Sequence, residues 1–401
     1  MTLSANSVPQ RFYSLDATRG FCSLAVVMWH WKNLFYNGTT PGVFDAKAQP
    51  FYAVLFPFYE KGYLAVDFFF CLSGFLFFWL YGTRISRLEI SMKEFFWLRF
   101  TKLYPVHLCM LIAVLLGQQL MLSKTGDFFV NPGNDAYHFA LNVFLATGWG
   151  LQRAASYNLP VWSISVEVLL YSLFFLICRK NVFHWCWAAI GVLTLMVLSG
   201  RNSDLGRGLF SFFAGGFVYY LYAKMAAQGL CQRWKTPLSA ATIAGFAVAV
   251  LDIKLGFVTP AINQLMEAVL APAGYGYDTA MGGRIAWLLV TGWLFPVALL
   301  TLVTNETARG AMGKTLSPLG DLSYSLYLTH FPLQLFFAYG VAAMGWDKSF
   351  YYTDLALLCF MGLLLALSFA SHHYVECPIR RYLRNGIPGW NSIFKPVPQT
   401  T

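Results

Sequence analysis

Leu15-Asp16-Ala17-Thr18-Arg19-Gly20-Phe21-Cys22-Ser23-Leu24-Ala25-Val26-Val27-Met28-Trp29-His30 opens the first long apolar stretch of the chain, which runs on to Tyr36 and carries one histidine near its middle. Arg19 precedes His30 by eleven positions. At about 100° per residue the two fall roughly 20° apart on one helix face, about 16 Å apart along the axis. A titratable side chain at that depth in a membrane span costs on the order of 2.5–3.5 kcal/mol, which makes it a candidate functional group by default. The structural alternative is a neutral imidazole bonded to a neighbouring helix. On this residue alone both readings stand.

Composition decides the class. Of 401 residues, 57% are hydrophobic, 18% aromatic and 11% charged, with a mean hydropathy of +0.53. Soluble domains carry about 25% charged residues, so an all-α polytopic membrane protein is expected rather than two soluble domains. The net charge of +10 does not point to nucleic acid, because the basic residues sit in short loops between apolar spans. The eight cysteines show neither CxxC nor Cys/His ligand spacing, so no disulfide framework and no metal site are expected. Met1 to Tyr13 is polar and lacks a cleavable-signal pattern, which leaves the first span to target the chain to the membrane. The domain reading is a polar tail over 1–10, a transmembrane domain over 11–385 and a short tail over 386–401.

Apolar runs of spanning length give about ten helices, at 15–36, 62–82, 103–122, 159–178, 182–199, 207–224, 237–254, 284–304, 319–340 and 352–374. With the N-terminus inside, 18 of the 28 lysines and arginines fall on the inner side, so both termini read as cytoplasmic. Two outer segments are too long for plain turns. Ser123 to Asn158 contains Tyr137 to Leu145, a candidate interfacial or re-entrant helix, and Leu255 to Gly283 is rich in Gly, Pro and Ala. No internal repeat is visible, which weakens a reading as an inverted-repeat transporter.

A rise of about 1.5 Å per residue turns position into depth, and it puts His30, Asp67, Glu167 and His330 in one layer of the outer half. Four ionisable groups from four spans would make a catalytic or ion-coupling chamber. Each has a plainer role open to it. Asp67 can cap its helix, Glu167 can pair with Arg207, and His330 can satisfy carbonyls kinked by Pro332. Trp162 can be an interfacial anchor. On the inner side, Trp97-Leu98-Arg99-Phe100-Thr101-Lys102-Leu103-Tyr104-Pro105 sets Arg99 and Lys102 three apart, on one helix face, where they can clamp a phosphate or simply act as topogenic charges. Glu376-Cys377-Pro378-Ile379-Arg380-Arg381 carries the same ambiguity.

Taken in order, these blocks resemble the acyltransferase-3 family of integral membrane acyltransferases, from about Arg11 to Arg384. Leu15 to Gly20 followed by His30 is similar to the family's opening: a basic residue, ten intervening positions, then histidine. Val66-Asp67-Phe68-Phe69-Phe70-Cys71-Leu72-Ser73-Gly74-Phe75 resembles its second-helix signature. Arg99 to Pro105 resembles its basic segment, with Lys102 in place of the usual second arginine, keeping the charge but losing the bidentate fork. Leu159 to Glu167 and Ser323 to His330 match two more blocks.

The resemblance implies a ten-helix enzyme of the cytoplasmic (inner) membrane. It would take an acyl group, by preference acetyl, from cytoplasmic acyl-CoA to a hydroxyl of a surface glycan, lipopolysaccharide or lipid-linked precursor, with no permanently bound cofactor. His30 would be the general base, Arg19 would line the path of the pantetheine arm, and Glu167 or Asp67 would orient the imidazole or the sugar. Arg99, Lys102 and Tyr104 would hold the CoA. Asp16, Trp162, Ser165, Tyr324, Ser325, Tyr327 and His330 would line the chamber. Expected partners are membrane lipid, acyl-CoA and the glycan. The alternative is a secondary transporter or lipid-glycan flippase using the same buried charges for proton coupling.

Overall fold

A backbone inside lipid has no water to bond to and must bond to itself. In the computed structural model, which describes residues 9–182, 191, 194, 204–273 and 278–385, it does so as helices. In chain order these are α1 (Tyr13–His30), α2 (Tyr52–Lys61), α3 (Leu64–Ser86), α4 (Met92–Thr125), α5 (Ala136–Val143) and α6 (Val161–Lys180). There follow α7 (Asp204–Ala227), α8 (Cys231–Leu255), α9 (Val258–Leu270), α10 (Ala280–Arg309), α11 (Ser317–Ala343) and α12 (Asp354–Arg384). Among the described residues there is no strand, only a bridge between Asn37 and Thr40.

Six helices (α3, α4, α6, α8, α10 and α12) are long and apolar enough to cross a membrane. Helices α1, α7 and α11 occupy three more of the expected ranges and are 18, 24 and 27 residues long. They are more polar because Asp16, Arg19, His30, Arg207, Ser323, His330 and Gln334 are used inside the bundle. The expected span 182–199 lies almost wholly outside the described residues, as does the tail 386–401.

Several boundaries differ from the sequence reading for local reasons. Helix α4 begins at Met92 rather than 103. Ser91 Oγ accepts the Glu94 N–H at 3.2 Å while the Glu94 carboxylate accepts the Ser91 N–H at 2.8 Å. This capping box starts the helix a full three turns early, so Arg99 and Lys102 lie well inside a helix. In the long segment before α6, Asp135 caps α5 by accepting the His138 N–H at 2.8 Å. That bond, with the His138 imidazole, holds the Asp135 carboxyl below the usual carboxylate range. Helix α2 was not expected at all, and α9 buries none of its residues.

Two backbone crossings fix the bundle. At Gly20 an added Cβ would stand 2.5 Å from Leu319 Cβ, and at Gly320 one would stand 2.1 Å from the Asp16 carbonyl oxygen. Three residues on, Ser23 Oγ donates to the Ser323 carbonyl at 3.0 Å. Helices α1 and α11 therefore run parallel, with partners offset by 300 in the sequence from Ser23–Ser323 to His30–His330. The second crossing joins α3 to α7, where Cβ atoms on Gly74 and Gly215 would come 1.8 Å from the carbonyl oxygens of Phe212 and Cys71. Such close approach, open only to glycine, is how helices associate where apolar surface gives no net drive.

The start of α1 has no side-chain cap of its own. Its cap is Glu306 of α10, which is buried and accepts from the backbone of Tyr13 and Ser14 at 2.8 and 2.9 Å and from Ser14 Oγ at 2.5 Å. A carboxylate at a helix N-terminus meets both unpaired donors and the positive end of the dipole. The starts of α1, α4 and α11 and the ends of α3, α10 and α12 thus gather at one end of the bundle, here called the basic end after Arg11, Arg84, Lys93, Arg309, Lys314 and Arg380.

Gly215→Val should prevent a monodisperse detergent-solubilised protein or lower its thermal midpoint by many degrees. Gly340→Ala, with nothing within 4 Å of the new Cβ, should be neutral or slightly stabilising, by about 0.5–1 kcal/mol. Equal behaviour of the two variants in thermal unfolding would remove the crossing from the account.

Candidate active site

Helices α1, α3, α4, α6 and α11 surround a cavity of about 490 Å³, within the size range of small-molecule sites. Its mouth lies at the basic end, at the exposed residues Gln10, Arg11 and Asp321. There Arg11 bridges Asp16 at 2.6 Å and Asp321 at 2.9 Å, tying α1 to α11 across the opening. The wall from α3 holds Leu76, Phe77, Trp79, Leu80 and Tyr81. Near-consecutive residues share one wall because Phe78–Gly82 is a π-helical turn, which changes the angular step between side chains.

Inside stand Arg19, Arg99, Lys102 and Glu167. Arg99 donates to Tyr81 Oη at 2.6 Å and lies 5.0, 5.0 and 5.8 Å from the ring centres of Phe77, Tyr81 and Tyr171. Three aromatic faces hold the guanidinium in one orientation. Its Nε is buried without a hydrogen-bond partner, so a donor is left unspent. Lys102 makes no hydrogen bond or ion pair among the described residues. Glu167 accepts from Ser73 Oγ at 2.7 Å. The lining as a whole carries four basic side chains (Arg11, Arg19, Arg99 and Lys102) against three carboxylates (Asp16, Glu167 and Asp321). Arg11 and Arg19 are paired with Asp16 and Asp321, which leaves Arg99 and Lys102 as the side chains suited to an anion.

The far end is closed by Phe69, Phe70, Ser163 and Tyr327. Tyr327 Oη lies 2.7 Å from Ser163 Oγ and donates to the Pro160 carbonyl at 3.1 Å. Behind Tyr327, with ring centres 5.8 Å apart, is His330. His330 Nε2 is 3.0 Å from His30 Nδ1, and the two rings stack at 5.1 Å and 17°. Gln334 fixes the backbone here by donating to the His30 carbonyl at 2.9 Å. His30 Nε2 has no hydrogen-bond partner among the described residues.

Of the sequence-predicted residues, Asp16, Arg19, Arg99, Lys102, Glu167, Tyr324 and Tyr327 line this cavity, and His30 and His330 meet one ring beyond it. Tyr324 holds its place through a short hydrogen bond to the Leu103 carbonyl. The others lie elsewhere. Asp67 is fully buried and gripped by Arg207 through Nε at 3.3 Å and Nη2 at 2.8 Å, and Trp162 offers its ring face to the same guanidinium at 5.5 Å. It is Asp67, not Glu167, that takes Arg207. Ser165 Oγ accepts the Gly148 N–H at 2.9 Å, Ser325 Oγ donates to Glu376 at 3.2 Å, and the Tyr104 ring stacks on Phe100 at 4.7 Å. The single chamber expected from depth thus divides by side-chain direction into a cavity, a histidine pair and an ion pair. Sequence reasoning missed Tyr81, Tyr171, Ser73 and the Arg11–Asp321 bridge. Tyr171, one turn after Glu167, was the one position a helical reading could have found; Tyr81 is eighteen residues from Arg99 and meets it only through packing.

These features define a multi-pass membrane protein with an interior basic cavity leading toward a histidine pair. The family model described as an acyltransferase domain matches residues 12–374, and the chain belongs to that acyltransferase-3 family. It is 25% identical over 366 residues to "Acyltransferase MdmB" of Streptomyces mycarofaciens, covering 85% of this chain and 82% of the relative. To "O-acetyltransferase OatA" of Staphylococcus aureus it is 22% identical over 400 residues, covering 93% of this chain and 58% of the relative. "Protein 2 in picA locus" of Rhizobium radiobacter matches at 26% over 181 residues, 42% of this chain and 84% of that one. No solved structure matches.

Asp67→Asn should destabilise the protein by up to about 3–5 kcal/mol, because it leaves the partly buried Arg207 charge only the more distant, exposed Asp204 carboxylate at 3.7 Å. Asp67→Leu with Arg207→Met should recover most of that in thermal unfolding. Wild-type stability of the single variant, with activity lost, would move Asp67 from scaffold to chemistry.

Proposed function

We propose that this chain is a membrane O-acyltransferase that moves an acyl group, acetyl first, from cytoplasmic acyl-CoA to a hydroxyl of a surface polysaccharide, lipopolysaccharide or lipid-linked glycan. One observation carries the reading: a single cavity with unspent cationic donors opens at the basic end and stops one tyrosine ring short of His30 and His330. The name of the O-acetyltransferase relative supports acetyl, and membership of the family favours this reading over the transporter or flippase. The basic residues gathered at the end of the bundle where the cavity opens support a cytoplasmic mouth, a ten-span topology and residence in the cytoplasmic membrane.

In this reading Arg99 and Lys102 bind the CoA phosphates or the pantetheine arm by charge-assisted hydrogen bonds, and Arg19 lines the path toward the far end. His330 is a positioning residue. With the proton of His30 on Nδ1 and shared with His330 Nε2, His30 Nε2 is left with its lone pair free. The acceptor hydroxyl gives its proton to that nitrogen as its oxygen forms a bond to the thioester carbon. The carbon–sulfur bond breaks, and the CoA thiolate leaves to be protonated from the imidazolium or solvent. The Tyr327 and Ser163 hydroxyls stand at the far end, both bonded to the Pro160 carbonyl, and one of them turned from that carbonyl donates to the developing oxyanion. A base oriented by a second group that fixes its tautomer follows the logic of catalytic triads on unrelated folds.

His30→Ala should lower transfer of labelled acetyl from acetyl-CoA to acceptor by about 10²–10⁴-fold while leaving donor affinity unchanged. Arg99→Ala with Lys102→Ala should do the reverse, weakening acyl-CoA binding about 10- to 100-fold with turnover at saturating donor largely kept. Lys102→Arg should match or exceed wild-type binding. Donor binding unaffected by the double substitution would make the pair topogenic only.

Single cysteines in a cysteine-free background test the sidedness. Ser86→Cys should react with an impermeant maleimide only from the cytoplasmic side, and Lys124→Cys only from the other. Labelling of position 86 from outside would invert the donor route.

A further inference from the structure

The end of α12 carries a second arrangement of chemically active groups, away from the cavity. Cys377 Sγ lies 3.4 Å from His372 Nε2, and His372 Nδ1 lies 2.9 Å from Glu376 Oε2. Glu376 is buried and anchored from both sides, by Arg380 Nη1 at 3.1 Å and by Ser325 Oγ of α11 at 3.2 Å. The other nitrogen of that guanidinium, Arg380 Nη2, reaches Cys377 Sγ at 3.4 Å. A thiol, an imidazole and a carboxylate in sequence, with a cation against the sulfur, are the parts that activate a cysteine nucleophile.

The backbone is shaped for this contact. His372 and Cys377 are five residues apart, which on a regular α-helix puts them about 140° apart around the axis. Residues Ser371–Glu376 form a π-helical turn, and its i-to-i+5 repeat brings the imidazole onto the sulfur. Cys377 is also at the right height for a water-borne reagent. It lies roughly 35 Å along α12 from Asp354, past the ~30 Å thickness of a hydrocarbon core and at the basic end. Cys22, Cys71, Cys178 and Cys231 are buried, and Cys109 and Cys359 are exposed on α4 and near the start of α12. Among the described residues, no imidazole bonded to the sulfur is seen at Cys22, Cys71, Cys109, Cys231 or Cys359.

We propose that Cys377 is a self-acylating nucleophile that takes an acyl group from an acyl-CoA thioester and keeps it as an S-acyl cysteine. The thiol proton passes from Sγ to His372 Nε2. The sulfur attacks the thioester carbon, a new carbon–sulfur bond forms to Cys377, and the bond to the CoA sulfur breaks. The CoA thiolate then takes the proton back from His372 and leaves as free thiol, so no oxidant or reductant is consumed. Cys377 does not line the cavity, so this acyl group is a modification rather than an intermediate of the transfer through His30. The neighbouring exposed side chains Tyr374, Ile379 and Tyr382 offer an apolar surface for a long chain.

The test uses the full chain purified in detergent, incubated separately with radiolabelled acetyl-CoA and palmitoyl-CoA, then digested and mapped by mass spectrometry with and without hydroxylamine. The expected result is a hydroxylamine-sensitive label on the Cys377 peptide, absent in Cys377→Ser and formed about 10²-fold more slowly in His372→Gln. The donor that labels faster identifies a short-chain or a long-chain modification. His30→Ala should label normally, which separates this inference from the proposed transferase reaction. Iodoacetamide should also alkylate wild-type Cys377 faster than Cys109 or Cys359, a measurement that needs no variant. An unlabelled Cys377 peptide with both donors, or a label formed equally fast in His372→Gln, would overturn the proposal.

Discussion

Taking an ionised group out of water is costly, and the polar architecture of this molecule follows from how each such group is answered. Three acidic side chains are buried outright among the described residues: Asp67, Glu306 and Glu376. Each has several partners. Asp67 has the two arms of Arg207, Glu306 has the N-terminus and a hydroxyl of α1, and Glu376 has Arg380, His372 and Ser325. Each joins elements far apart in the chain, α3 to α7, α10 to α1, and α12 to α11, so the polar contacts staple a bundle that apolar packing alone would hold weakly. Against that background Lys102 and the Arg99 Nε stand out. Neither has a carboxylate within ion-pair distance among the described residues, and both face the cavity lined from five helices.

What the sequence made legible was whatever depends on a single helix at a time. Hydropathy located the long helices, and the blocks around His30, Asp67, Arg99, Glu167 and His330 pointed to the family. It did not show direction. His30 and Glu167 have similar axial depths, yet one faces α11 and the other faces α3, and only packing decides that. Arg207 was offered to Glu167, whereas it takes Asp67, because both are acidic positions within reach by depth. The start of α4 was missed because a charged segment was read as loop, although Ser91 and Glu94 form the box that initiates a helix there. Helices α2 and α9 were missed because hydropathy reports spans and says little about short interfacial elements.

The separation between cavity and histidine pair also bears on chemistry. Anything that reached the far wall of the cavity would meet Tyr327 before it met either imidazole, so in the proposed reaction the tyrosine ring stands between donor and base. The Tyr327 hydroxyl is held by Ser163 and the Pro160 carbonyl at the start of α6, the helix that also supplies Glu167. Movement of that helix start would reposition the barrier and the cavity carboxylate together, as expected of a site built on few rigid elements.

The pairing of α1 with α11 has a metrical meaning. Both helices carry glycine, then serine three positions later, then histidine ten positions after the glycine: Gly20, Ser23, His30 and Gly320, Ser323, His330. The glycine contacts nail the two backbones together at one level, and ten residues further each helix has climbed about 15 Å. The imidazoles meet because both helices count the same distance from the same origin. One is a ruler for the other, and a residue gained or lost on either would turn its histidine by about 100° and end the contact. The interval from Gly20 to His30 is thus half of a matched pair of lengths, and neither half can drift without the other.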